Sequence, residues 1–302
     1  MRNLLFLSTL LVSACASSPP APVAASGCTV PAGLAVMDDA WLETTRAMSA
    51  EVKAALVLSL PDCLENPDPA VRDHYAYETL SGLLRGEAVG PETLRPLKAE
   101  LLSRLAQADE DAGGFRGPFA ALALAEVART DRITPWMDEA ARSALIAAAH
   151  TYLANLTDYR GFSDTEGWRH GVAHTADLLM QLSLNPRLTK PQAEAILAAI
   201  ALKVGTPDHA YIFGESERLA APVMYLAQRE LFTDEEWTAW FTGLWPADDP
   251  LREVAYRSEA ALARLHNLRA FSEAVYVSAV ASHQDTYTPV GEAAFALLNL
   301  LP

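Results

Sequence analysis

Apolar positions recur every three to four residues along nearly the whole chain, the spacing of one buried helix face. The strict alternation of a half-buried strand is nearly absent. Helix boundaries are legible at many places. Asp68-Pro69 is an N-cap followed by proline at the first helical position, and Gly86 stands just past Leu83-Leu84-Arg85. Pro91 opens a helix predicted to run through Ala106, and Thr134-Pro135 opens another carrying Trp136, Ala140, Leu145 and Tyr152. Thr189 precedes Lys190-Pro191 and an apolar series with Ile196 and Ile200. Thr233 and Glu236 form a capping box before Trp237, Trp240 and Phe241. Thr288-Pro289 starts a last helix ending in Leu297-Leu298-Asn299-Leu300-Leu301. Stretches 36–60, 117–130, 166–183 and 250–280 carry the same helical spacing.

About ten helices joined by short connections predict an all-α fold in which sequence neighbours pack antiparallel. The expected architecture is an array of helical hairpins, a HEAT-like solenoid. Asp68-Pro69-Ala70-Val71-Arg72 has the character of a turn opening such helices, although no strict internal period is visible. A closed α/α toroid is the alternative.

The first residues change the picture of where this domain sits. Met1-Arg2-Asn3 leads into the apolar run Leu4 to Val12, then Ser13-Ala14-Cys15. A basic start, a short apolar core and small residues make a secretory signal. That core is far shorter than the roughly 20 residues of a membrane-spanning helix. Val12-Ser13-Ala14-Cys15 resembles the bacterial lipobox, in which the cysteine is acylated and becomes the new N-terminus; the bland alternative is an ordinary signal cut elsewhere. The expected organisation is a signal peptide at 1–14, a lipidated Cys15 with an Ala/Ser/Pro-rich tether at 15–30, and one helical domain at 31–302. Ala16 rather than Asp after the cysteine favours the outer membrane by the same resemblance. The protein is thus expected in the cell envelope, held to the membrane by its N-terminal lipid and facing the periplasm.

Net charge is −15, from 23 Lys and Arg against 38 Asp and Glu; loss of Arg2 leaves 22 against 38, or −16. No basic stripe interrupts this acidity, so nucleic acid is excluded as an expected partner. With Cys15 consumed by lipid, Cys28 and Cys63 remain, and the sequence leaves their pairing open. No CxxC or Cys–His spacing suggests structural zinc.

Several strings together resemble a bacterial family catalogued as domain of unknown function 2785. They are Arg72-Asp73 with Ala76-Tyr77, Phe115-Arg116 with Phe119 and Leu122-Ala123-Leu124-Ala125, and Tyr159-Arg160-Gly161-Phe162. Gly167-Trp168 running into His170, Ala173-His174 and Ala176-Asp177-Leu178-Leu179 continues the likeness, and Gly214-Glu215-Ser216-Glu217-Arg218-Leu219-Ala220 closes it. It spans residues from about 50 to about 245. The resemblance implies an all-helical fold and brings no known activity with it. Pro222 departs from the pattern, since it interrupts the helix expected after Glu217.

The chemistry-bearing residues gather in these strings. On a helix through 166–183, His170, His174 and Asp177 fall within one arc of about 60°, opposite Trp168, Val172, Ala176, Leu179 and Leu182. They form a polar face that Gln181 extends, with small Gly171 and Ala173 beside it. Two histidines four residues apart with an acidic third ligand suit a divalent metal, although Gly171 stands where a zincin would carry glutamate. A metal-free polar cleft, or histidines hydrogen-bonded across a helix interface, are the competing readings. The loop Tyr159–Gly167 offers the Arg160 fork, Asp164, Glu166 and aromatic Phe162 beside Trp168; alternatively Asp164 or Thr165 caps a helix and Arg160 pairs internally. Glu215 and Glu217 could act as acid and base, but Arg218 is expected to anchor Glu215 or a helix end. Asp73 and Tyr77, one turn apart, and Arg116 complete the candidates; they face the cleft or brace the hairpins. Trp237, Trp240, Phe241, Tyr211 and Phe213 read as core.

No Gly-x-Ser-x-Gly elbow and no phosphate loop is present. Two readings remain. One is a non-catalytic scaffold that binds a protein or small molecule through a polar cleft around His170, His174 and Asp177. The other is a metal- or carboxylate-dependent hydrolase of an envelope polymer or small metabolite.

Overall fold

A computed structural model describes residues 27–31 and 39–302. The signal, Cys15 and the tether up to residue 26 lie outside the described residues. Among those described there are twelve α-helices. These are α1 (Asp39–Ala47), α2 (Ala50–Ser59), α3 (Thr79–Arg85), α4 (Pro91–Ala106), α5 (Arg116–Ile133) and α6 (Glu139–Asn155). They continue with α7 (Gly171–Ser183), α8 (Lys190–Val204), α9 (Glu215–Ala227), α10 (Asp234–Gly243), α11 (Glu259–Ser282) and α12 (Thr288–Leu300). The fold is all-α. One two-residue hairpin, β1 (Phe162–Ser163) with β2 (Gly167–Trp168), pairs Phe162 with Trp168. Ala70–Glu78 winds as a π-helix and runs directly into α3.

Capping chemistry sets most boundaries. The Thr233–Glu236 box forms in both directions, with N–H···O distances of 3.2 and 2.8 Å, and at α8 the Gln192 side chain accepts from Thr189 N at 3.1 Å. Thr134-Pro135 does not start α6; Asp138 does, accepting from Ala141 N. The reason is Asp131, fully buried at the end of α5. Its carboxylate takes the backbone N–H groups of Trp136 (2.8 Å) and Met137 (2.6 Å), so residues 134–137 turn around it. Asn185 Nδ2, 2.8 Å away, brings the α7–α8 connection to the same carboxylate. Pro222 does not break α9. The missing N–H is tolerated because Leu219, Val223 and Leu226 around it are fully buried and hold the segment in place.

Helices α3, α5, α7, α9 and α11 pack side by side in chain order, with α4 against α5, α6 against α8, and α12 against α10 and α11. Gly117 to Ala128 of α5 are buried except Leu122, and α7 is buried on most sides, so these two helices form the centre. Cys28 and Cys63 form a disulfide, Cα–Cα 4.8 Å, which clamps the N-terminal stretch beside the turn after α2. No described helix is long and apolar enough to cross a membrane.

The connections entering the inner helices are tied together by two arginines and one ring. Arg72, fully buried, lies 4.2 Å from the Phe115 ring centre and 4.8 Å from that of Phe119. It donates to Asp73, to the carbonyls of Asn66 and Pro67, and at 2.7 Å to the carbonyl of Glu166. Arg169 also lies 4.2 Å from Phe115 and donates to Gly113 O and Glu166 Oε2. Gly167, at φ +70°, fits where a Cβ would stand 3.1 Å from Arg72 Nη2. A side chain there is both strained and crowded. These contacts hold the hairpin, and hence the residues that follow it.

Candidate functional site

The site grows from the segment that enters α7. His170 is not on the helix: it caps it, in the left-handed conformation at φ 59°, ψ 43°. A bulky residue there is strained and persists because its surroundings enforce it. The His170 N–H donates to Arg160 O at 3.1 Å, and its carbonyl accepts from His174 N at 3.0 Å. Its imidazole stacks on Trp168, centroids 4.7 Å apart, and meets His174 edge-on at 5.9 Å. Buried His170 Nε2 has no hydrogen-bond partner; the nearest carboxylate, Glu215 Oε1, lies 3.6 Å away.

The 60° arc therefore does not describe this segment. With α7 starting at Gly171, Trp168 stands on β2 and His170 in the turn, and neither shares the helical periodicity. Nor is the histidine face solvated, since His170 and His174 are 6% and 7% exposed. His174 Nδ1 donates to Pro118 O at 3.2 Å, which makes it an interface histidine between α7 and α5. Burial first, then the neighbouring His170 and Arg218 charges, pushes its pKa down to about 3. Gly171 admits a helix rather than a ligand, for a Cβ there would lie 2.7 Å from Leu156 and 2.8 Å from the Tyr152 hydroxyl.

Asp177 is taken by Arg218, whose Nε donates to it at 2.8 Å. Arg218 thus anchors Asp177 and not Glu215. Burial pushes the Asp177 carboxyl up, more than Arg218 holds it down. Glu215, the first residue of α9, is oriented by Phe213 N at 2.9 Å. Burial raises its pKa, but the contact with His170 and the amides of Glu215 and Phe213 outweigh that, leaving it lowered. Among the described residues no group of three His, Cys, Asp or Glu is placed to hold one metal ion. His170, His174 and Asp177 form no such group, and Asp177 is held by Arg218.

Three other candidates brace the fold. Asp73 pairs with Arg72 at 2.8 Å, and Tyr77 donates to Glu126 at 3.3 Å on α5. Arg116 donates to Glu65 at 2.7 Å, across to the turn after α2. Arg160 grips Asp158 in a bidentate pair, Nε to Oδ1 at 2.9 Å and Nη2 to Oδ2 at 2.5 Å, and remains half exposed. Asp164 and Thr165 cap no helix; they belong to the hairpin turn. Tyr211, Trp237 and Phe241 are core as read, whereas Phe213 is only partly buried.

Open space lies beside this cluster. A cavity of about 650 Å³ separates the 157–169 segment from the 208–213 loop, lined by Asp158, Arg160, Phe162, Glu166, His209 and Phe213 among others. Phe213 packs so closely over Gly161 that a Cβ there would lie 2.0 Å from its ring. Trp168 links cavity to cluster: it touches Phe162 (5.0 Å), Phe213 (5.9 Å) and His170. His209 stacks on Tyr159 at 5.4 Å and 9°, its buried Nε2 without a partner, and Lys203 lies 5.0 Å from that tyrosine ring. Asp158, Asp208, His209 and the cavity role of Phe213 were missed from the sequence. The available signal was a polar pair, Asp208-His209, between two helices and just before Gly214-Glu215.

Comparison with curated proteins and with solved structures gives no match. The family model described as "Protein of unknown function (DUF2785)" matches residues 101–277. That stretch extends further towards the C-terminus than the strings suggested and leaves Arg72-Asp73 and Ala76-Tyr77 outside. It contains the cavity, the hairpin, His170 and Glu215, and it is more than half of the chain, which belongs to this DUF2785 family.

Proposed function

We propose that the protein is a lipid-anchored, non-catalytic binding protein of the cell envelope, with its ligand site on the loop edge that faces the α7 and α9 N-termini. The carrying observation is the cavity of about 650 Å³ between the 157–169 and 208–213 segments, within the size range of small-molecule pockets. Charged groups and aromatic rings converge there on a frame pinned by Arg72 and Arg169, as a preformed site requires. The envelope reading rests on Val12-Ser13-Ala14-Cys15, and a disulfide in the domain is in keeping with an oxidising compartment. The array of hairpins is read as a solenoid that displays this edge.

The hydrolase reading has one observation in its favour, the sealed His170–Glu215 pair. Asp177 is bound by Arg218 and supplies no second carboxylate to that pair. The test is a filled cavity. Thr157 is exposed at the rim, and Thr157→Trp should occupy the space without touching the frame. Native mass spectrometry of protein incubated with envelope extract should show adducts on the wild type that this variant lacks. Identical adducts on both, or none on either, would reject the site.

A further inference from the structure

Charge balance and ring placement in the cavity narrow its ligand class, and this step rests on the binding reading above. The guanidinium of Arg160 is already paired with Asp158, and that of Arg169 with Glu166. Asp208 adds one further carboxylate, while its oxygen accepts from Thr206 and, at 3.4 Å, from the Tyr159 hydroxyl. With every cation matched, and the chain at −15 overall, the cavity offers no surplus positive charge to an anion. What it offers is a set of neutral hydrogen-bonding options beside flat apolar faces.

The faces form a continuous ledge. Phe162 is 45% exposed and Trp168 38%, centroids 5.0 Å apart, and both are held on a hairpin rather than a floppy tip. Phe213 stands edge-on to Trp168 at 5.9 Å and turns the ledge into the cavity. Large aromatic surface is ordinarily buried, so two such rings left open on a pinned hairpin signal a partner. Carboxylates and guanidinium forks border the ledge at Asp158–Arg160 and Glu166–Arg169, where hydroxyl groups find both acceptors and donors. His209 also lines the cavity, and its buried Nε2 has no hydrogen-bond partner.

We infer that the cavity and its aromatic ledge bind a neutral saccharide, one ring within the cavity and the next stacked on Phe162 and Trp168. The apolar face of a pyranose covers an aromatic ring, and its edge of hydroxyls meets paired charges that an ionic ligand would have to break. A volume of about 650 Å³ accommodates a disaccharide with its first waters.

The test uses the full-length chain in lauryldimethylamine oxide, a detergent without sugar. Cellobiose, maltotriose and di-N-acetylchitobiose are titrated by saturation-transfer NMR, beside benzyltrimethylammonium and benzoate as charged aromatic-site probes. Binding of at least one sugar, weakened about tenfold or more in Phe162→Ala/Trp168→Ala with the helical far-ultraviolet circular dichroism retained, and abolished in Thr157→Trp, is the expected result. Sugar binding indifferent to these changes would overturn the assignment. So would failure of all three sugars while a charged probe binds and is displaced in Thr157→Trp; the cavity would then stand and the saccharide would fall. Silence from every probe would reject both.

Discussion

His170 Nε2 and Glu215 Oε1 face each other at 3.6 Å, although one caps α7 and the other opens α9, and both side chains are nearly sealed from solvent. One residue is held in a left-handed turn and the other is aimed by a backbone amide. The two loops that bound the cavity are therefore joined at their roots. Glu215→Ala removes the acceptor of Phe213 N and leaves His170 facing a void. A loss of about 1–3 kcal/mol is expected, the scale for a buried polar group deprived of its partner. Hydrogen exchange should show the Phe213 amide opening more than the α5 core. Equal protection in both would separate the pair from the loop.

His174 predicts an acid sensitivity with a defined window. Its pKa falls from 6.5 unfolded to about 3 folded, so the unfolded chain holds the extra proton between those values. Stability is complete above pH 6.5 and declines as pH drops towards 3, by up to about 1.4 kcal/mol per unit. His174→Gln keeps a donor for Pro118 O and has no proton to take up. Its Tm should vary less with pH across this window than that of the wild type, measured by calorimetry in matched buffers.

Gly167→Ala tests the frame. At φ +70° an alanine is strained, and its Cβ would meet Arg72 Nη2 at 3.1 Å. The expected cost is about 1–3 kcal/mol, with a change in the near-ultraviolet circular dichroism of the adjacent Trp168. Unchanged stability would mean that Arg72 yields freely.

Reduction of Cys28–Cys63 should lower stability by about 2–4 kcal/mol, as expected for a bridge spanning 35 residues. Thermal unfolding with and without reductant measures it, and a Cys28→Ser/Cys63→Ser variant should match the reduced protein.

Local signals gave the helices: Pro91 to Ala106 appears in the structure with the boundaries read from it, and the Thr233–Glu236 box closes as written. The failures have one physical origin. A helix boundary imposed by a distant side chain leaves no local mark, and Asp131 moves the start of α6 from Thr134 to Asp138 in this way. His170 is the sharper case. Its spacing to His174 fits a helix, yet a turn pinned by Arg160 and the hairpin flips it out of register. The family strings marked His170, Glu215 and Arg160 as worth attention. They gave no sign that Arg218 reaches Asp177 or that Phe213 borders open space, because both depend on which helices neighbour each other.

The clamp at Cys28 also bears on geography. If Cys15 carries the lipid, as proposed, only 13 residue-to-residue steps separate the membrane surface from the first covalently fixed point of the domain. At no more than about 3.5 Å per residue, that leash is shorter than roughly 45 Å. Without the clamp, the first packed element would be α1. With it, the domain hovers in a shell close to the bilayer, and whatever it captures must come to the membrane.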